Sequence, residues 1–393
     1  MVWAAERAKV PPSETLAITD RAKAMKREGI DMVSLAAGQP DFVTPAHIRE
    51  YVKKALDEGY TFYPDVAGVL ELRQAIAEKL NKENRFEADP KSEIIVTVGG
   101  KEAVFASVLA TVNPRDEVLL TDPAWVTYEP CVRFAGGVPV HIPLKGDDAF
   151  NVNAGEVEKR ISSRTKMIVI NSPCNPTGSV MSKQDLEALA EVACRRNLLV
   201  LSDEIYERII YEDVTHYSLA SFPDMKDRTI TVNGFSKTLA MTGWRLGYVI
   251  ANKEIIGHIK SVHGHMVTGP CTFAQKAVAD ALMDKRTEDS VRSMVKKFAE
   301  RRKLIMNGLS TIEGVSCINP KGTFYTFPNF SSVGKPSAEL AEFLLEKARV
   351  ATIPGSAFGS CGEGYLRISF AASEEDIRKG VERIEAALEG DKR

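Results

Sequence analysis

The chain has 393 residues, 44% apolar and 26% charged, with 51 basic side chains against 53 acidic ones and a formal charge of −2. That length holds a sizeable core without disulfide or metal staples, and it suits either two or three domain-sized units or one large domain with a smaller companion. Balanced charge with no basic stripe argues against a nucleic-acid partner, and no run approaches the ~18 apolar residues of a membrane span. Residues 1–10 include Glu6 and lack the apolar stretch of a secretory signal. Six cysteines are scattered with no C-x-x-C pair, which suits packed thiols in a reducing, cytoplasmic setting.

In chain order, residues 17–27 read as a helix, followed by the polar and small segment AAGQPDF at 36–42. A β-branched run at 93–98 (EIIVTV) ends in Gly99-Gly100, and residues 101–112 have apolar side chains at helical spacing. Further strands are expected at 117–120, 166–170, 198–201 and 229–232, with an amphipathic helix at 184–196. Strands alternating with helices imply a mostly parallel sheet, an α/β fold. From about residue 290 the pattern changes: a long charged helix at 291–309, a strand-like piece at 324–327, a helix near 337–348, strand-like pieces at 350–353 and 365–370, and a terminal helix. A large unit over 45–289 is therefore expected, with a smaller α+β unit built from 1–44 and 290–393.

Polar and small residues follow the carboxyl end of each expected strand, the edge where ligands bind in open α/β sheets. Gly99-Gly100, 171–178, Asp203 and Lys237 would then face one crevice. A lysine there can act as a nucleophile or base once its surroundings lower its pKa, although a lysine taken singly is more often a surface cation. Asp203, after the apolar run LLVLS, is either a buried carboxylate in need of a partner or a helix cap. Arg245 and the start of the helix after Gly99-Gly100 could hold a phosphate. The loop NSPCNPTG (171–178) is stiffened by two prolines and can fix the Asn175 amide. Trp125 could stack on a ring or pack in the core. Arg367, on the alternating strand YLRISF, needs an anion or solvent.

Together these residues resemble the class I aminotransferases of the fold-type-I pyridoxal 5′-phosphate enzymes. The resemblance runs from about residue 12 to 387 and rests on AAGQPDF, VGGKEAV, NSPCNPTG, SDEIYE, NGFSKTLAMTGWRLGY and YLRISF, in the family's order and spacing. It implies that Lys237 forms the Schiff base with pyridoxal phosphate and acts as general acid and base. Asp203 is similar to the partner of the pyridine nitrogen, Asn175 and Tyr206 to the residues that bind O3′, and Trp125 to the ring-stacking aromatic. Gly99, Gly100, Lys101 and Arg245 align with the phosphate-binding region, and Ser236 could share in it where relatives use a serine at the position of Gly234. Arg367 matches the clamp on the substrate α-carboxylate, beside the loop containing Gly38. Tyr63 matches a tyrosine that reaches the neighbouring subunit's phosphate, which implies a homodimer with shared active sites.

Among family branches the resemblance is to the prokaryotic aspartate aminotransferases. It implies aspartate or glutamate as amino donor, a 2-oxo acid as acceptor, and Lys101 against the distal carboxylate. Thr15 with Lys101 resembles the pair linked to prephenate. Other open readings are aromatic or alanine-like substrates and a C–S lyase; a regulator with a DNA-binding domain is disfavoured because the resemblance begins near residue 12. His263 and His265, two apart with no third ligand, read as structural, and no metal is expected.

Overall fold

The computed structural model describes residues 5, 9, 10, 14–212 and 214–391. Its centre is a seven-stranded sheet: β1 (Ile94–Thr97), β2 (Glu117–Asp122), β3 (Val138–Pro143), β4 (Thr165–Asn171), β5 (Leu199–Asp203), β6 (Thr229–Gly234) and β7 (Gly247–Ile250). Their spatial order is β1-β7-β6-β5-β4-β2-β3, and only β7 runs against its neighbours. Most of these strands are apolar runs because both faces are covered. Leu119, Ile168, Ile170 and Val200 pack on one side with the helix Lys183–Arg195. Their strand neighbours Val118, Leu120, Met167, Val169 and Leu201 pack on the other with the helix Gly99–Thr111. Each such buried aliphatic side chain stabilises the fold by about 1.5–3 kcal/mol. The α/β fold with helices on both faces is thus as the sequence pattern implies.

Differences from the expected elements are local. The helix after Gly99-Gly100 starts at Gly99 itself, and the first helix spans Glu14–Arg27. The long charged helix begins at Lys285, so the expected boundary at 289/290 falls inside it. Asp284 explains the earlier start: its side chain accepts the Arg286 N–H and caps the helix.

Both chain ends contribute to a second assembly. Val33–Ser34 pairs in parallel with Val350–Ala351, and Leu366–Ser369 lies antiparallel between Ile353–Pro354 and Tyr325–Thr326. Leu35, Phe298, Phe324, Phe370, Ile377 and Ile384 share one apolar cluster there. The register of the central sheet sets the crevice: Asn171 lies opposite Asp203, and Gly234 opposite Gly247. No helix among the described residues is long and apolar enough to cross a membrane.

Candidate active site

Lys237 lies on the turn between β6 and β7, a turn closed at its base by Phe235 N–H donating to Leu246 O at 3.2 Å. The half-buried side chain reaches into the crevice, where Nζ donates to Gly38 O at 2.6 Å. The Tyr206 and Phe324 rings lie 5.8 and 5.9 Å from it. Enclosure by protein is the main reason the amine is pulled down to about 7, and the nearby cations Arg367 and Arg245 push the same way.

Asp203 ends β5 with its carboxylate buried. Burial lifts its pKa to about 6, against the opposing effect of the Tyr128 hydroxyl, which donates to Oδ2 at 2.6 Å, and of the Ile205 N–H on Oδ1. Asn171 ties the next strand end in: its Nδ2 donates to Asp203 O at 2.9 Å, and its Oδ1 accepts the Asn175 N–H at 2.8 Å. Gly178 closes that loop at φ 71, where a Cβ would lie 2.4 Å from Pro320. Arg367 is buried, not on the surface. It donates to Asn175 Oδ1 at 3.1 Å and Ala36 O at 2.9 Å, lies 4.4 Å from the Tyr325 ring centre, and leaves its Nε–H without a protein partner. With Asn175 Oδ1 committed to Arg367, the amide NH2 is the group left to donate. Tyr206 and Tyr325 share a hydrogen bond at 3.1 Å, and burial raises both phenols.

The other end of the crevice is cationic and rich in N–H groups. Gly99 opens its helix at φ 76 with the Arg245 guanidinium above it, where a Cβ would lie 2.6 Å from Nη2. Arg245 Nη1 donates to Thr242 O at 2.8 Å. A helix N-terminus beside a guanidinium is suited to an anion. Gly247 lets the helix start approach β7: a Cβ there would lie 2.6 Å from Gly99 C. A Cβ on Gly234 would in turn lie 2.8 Å from Gly247 Cα, so a serine at this position has no room. Ser236 is buried in the lysine turn. Lys101 is exposed and stands 5.6 Å from the Trp125 ring centre. A cavity of about 390 Å³ adjoins it, with Phe105, Pro130, Phe134 and Met266 as walls and Lys101 and Arg245 also lining it.

Tyr63 projects from a surface loop, 88% exposed. Thr15 lies in the first turn of the helix Glu14–Arg27, which packs beside the strands Val350–Ala351 and Ile353–Pro354. His263 is buried and its Nδ1 is hydrogen-bonded to Glu102 at 3.1 Å, a packing role. Glu204, Glu207 and His216 also come together, but Lys79 and Asn84 occupy Glu207, while Ser202, Ser218 and His216 occupy Glu204.

Two residues of the site were not legible in the sequence. Tyr128, three positions after Trp125, is brought to Asp203 only by the fold. Tyr325 falls in the strand-like piece 324–327 with no local sign that it bears on both Arg367 and Tyr206.

A lysine with a lowered pKa, a buried carboxylate and a cationic helix N-terminus at the edge of a mostly parallel sheet define a site for chemistry on an anionic ligand. The family model for aminotransferase class I and II matches residues 30–384, and the chain belongs to that family and is an aminotransferase. It is 48% identical over 379 residues to the aspartate aminotransferase of Pyrococcus abyssi, covering 96% of each chain. It is 46% identical to the probable aspartate/prephenate aminotransferase of Aquifex aeolicus, again over 96% of each. The solved aromatic aminotransferase of Pyrococcus horikoshii superposes with a TM-score of 0.91 at 47% identity, over 95% of this chain and 99% of that one.

Proposed function

We propose that the chain transfers an amino group between an amino acid, aspartate or glutamate foremost, and a 2-oxo acid such as 2-oxoglutarate or oxaloacetate, by ping-pong turnover with pyridoxal 5′-phosphate held at Lys237. The observation that carries this reading is the Lys237 amine: half-buried beside the Tyr206 and Phe324 rings, lowered to about 7, and set between the Asp203 side and the Arg245 side of one crevice. An amine with that pKa is unprotonated often enough near neutral pH to act as nucleophile and base.

The residues fit the cofactor. Gly99, Gly100, Lys101, Ser236 and Arg245 would hold its phosphate. Asp203 would hold a proton at the pyridine nitrogen, Asn175 and Tyr206 would bind O3′, and Trp125 would stack on the ring. When bound, pyridoxal phosphate supplies an electron sink for charge left at the substrate's α-carbon. Arg367, whose Nε–H lacks a protein partner, fixes the α-carboxylate beside Gly38. Lys237 would take the proton from the α-carbon and deliver it to the carbon on the other side of the amino nitrogen. The segment containing Gly38, whose carbonyl accepts Lys237 Nζ, would shield the crevice from water.

The substrate's far end falls to Lys101, with Thr15 assigned to the same region. Relatives named for aspartate and for aspartate with prephenate support a dicarboxylate. A second reading, aromatic donors, is favoured by the apolar walls of the adjoining cavity. Tyr63, exposed in the single chain, supports a homodimer in which it completes the partner's phosphate site. The units 45–289 and 1–44 with 290–393 would form the cofactor-binding and closing parts. Free cysteines support a cytoplasmic location.

Lys237→Ala should abolish turnover and the visible absorbance of bound cofactor; retained transamination would sink the assignment. A panel of amino donors with Lys101→Ala should show the loss concentrated on dicarboxylates. Equal effects on mono- and dicarboxylates would remove Lys101 from specificity.

A further inference from the structure

Among the contacts that brace the turn carrying Lys237 and Arg245 from outside, one hydroxyl makes two. Thr44 is 6% exposed; its Oγ1 donates to Ala240 O at 2.7 Å and accepts the Trp244 Nε1–H at 3.0 Å. A threonine hydroxyl has a single hydrogen, so one bond in each direction uses its donor and leaves the indole well placed on its oxygen. The carbonyl it holds lies three residues after Lys237, and the indole belongs to the residue next to Arg245.

The braced turn has an unfavourable backbone. Ala240 sits at φ 52 and Arg245 at φ 57, the left-handed region that non-glycine residues enter only when surrounding contacts hold them there. Within the turn, Ala240 N–H donates to Lys237 O at 3.3 Å and Met241 N–H to Ser236 O at 3.1 Å. These internal bonds shape the turn, whereas Thr44 ties it to a different part of the chain. Pro45 precedes the helix Ala46–Asp57, which packs along the helix Thr272–Leu282, so Thr44 stands on a firm base. On its other side the chain runs back to Gln39, whose Oε1 accepts the Thr242 hydroxyl at 3.1 Å, and to Gly38, whose carbonyl accepts Lys237 Nζ.

We propose that Thr44 is a positioning residue: its hydroxyl sets the spacing between the Lys237 amine and the Arg245 guanidinium, and so the fit of a ligand that spans them. The proposal rests on the reading of Lys237 and Arg245 given above. Valine has nearly the shape of threonine without the hydroxyl. At position 44 it would leave a carbonyl and an indole N–H without their partner, and the turn would move to satisfy them. Serine keeps both bonds.

The test uses the purified full-length chain, freed of cofactor, as wild type, Thr44→Val and Thr44→Ser. Titration with pyridoxal phosphate should give roughly tenfold weaker binding for Thr44→Val and near wild-type binding for Thr44→Ser, the scale of the net effect of losing a buried hydroxyl's hydrogen bonds. In parallel, the pH midpoint for acetylation of Lys237, followed by mass spectrometry, should rise in Thr44→Val as water reaches the amine, and return in Thr44→Ser. Unchanged affinity and midpoint in Thr44→Val, or a Thr44→Ser that behaves like it, overturns the proposal. If Thr44→Val does not fold, Trp244→Phe removes one of the two bonds, and wild-type values for both readouts there overturn it equally. Wild type that fails to bind pyridoxal phosphate would instead sink the cofactor reading, while the acetylation midpoints would still decide the role of Thr44.

Discussion

Tyr128 donates its phenolic hydrogen to Asp203 Oδ2 at 2.6 Å, with both groups buried. The bond favours the carboxylate over the neutral acid, against the burial that lifts Asp203 to about 6. Tyr128→Phe should therefore raise that pKa further and leave less carboxylate at neutral pH. The acid limb of the kcat/KM profile should move to higher pH, with activity at pH 7 lowered several-fold and partly regained above pH 8. An acid limb that does not move would show that Tyr128 does not govern this ionisation.

The same burial makes Asp203 a liability for stability in the cofactor-free protein. Its folded pKa is raised, so the proton it binds favours the folded state at low pH, and that advantage is lost as pH rises through about 6. A shift of about two units corresponds to about 3 kcal/mol. Asp203→Asn, which still accepts from Tyr128, should be more stable than wild type at pH 8 by up to about that amount. The gap should close toward pH 4. Urea unfolding at the two pH values measures it.

Lys237 gives the opposite pH dependence. Its folded pKa is depressed to about 7, so between pH 7 and the ordinary lysine range the unfolded chain binds more protons. Its contribution to stability is present at high pH and lost as pH falls through 7. Cofactor-free Lys237→Met should lack this dependence, and a plot of the melting-temperature difference against pH should slope over that window.

Arg367 makes two hydrogen bonds in different directions while facing an aromatic ring. Lysine cannot reproduce a planar guanidinium of that kind. Arg367→Lys should raise KM for both amino acid and oxo acid by roughly a hundredfold, about 2.7 kcal/mol of lost carboxylate binding. Steady-state kinetics with both half-substrates will show whether the effect falls on both, as a shared clamp requires.

Gly234 bears on packing more than on catalysis. A Cβ there would meet Gly247 Cα at 2.8 Å and Leu246 O at 2.9 Å. Gly234→Ser should lower stability by about 1–3 kcal/mol, in line with overpacked cores, without tightening cofactor binding. Tighter binding in a stable variant would show that the serine of some relatives can be restored.

Much of the site was legible because its residues sit in short motifs after strands. Asn175 follows β4, Asp203 ends β5, and Lys237 and Arg245 lie on the turn between β6 and β7. What escaped were elements without a local signal. β3 (VPVHIP) contains two prolines and is an edge strand, where missing N–H groups are tolerated. β7 is four residues long, and its reversed direction is a property of its neighbours. Tyr128 is 75 positions from Asp203, and nothing in its own stretch announces the meeting.

The reversed direction of β7 has a mechanical result. An ordinary crossover would carry the chain to the far edge of the sheet before it returned. Here the chain turns back at once, and the amine and guanidinium become the two jaws of one caliper hinged on adjacent strands. Insertions that leave this turn and its Thr44 brace in place leave the gap between the jaws unaltered. Lengthening or shortening 235–246 by even one residue would change it directly, so this short stretch is where the size of an accepted ligand can be retuned.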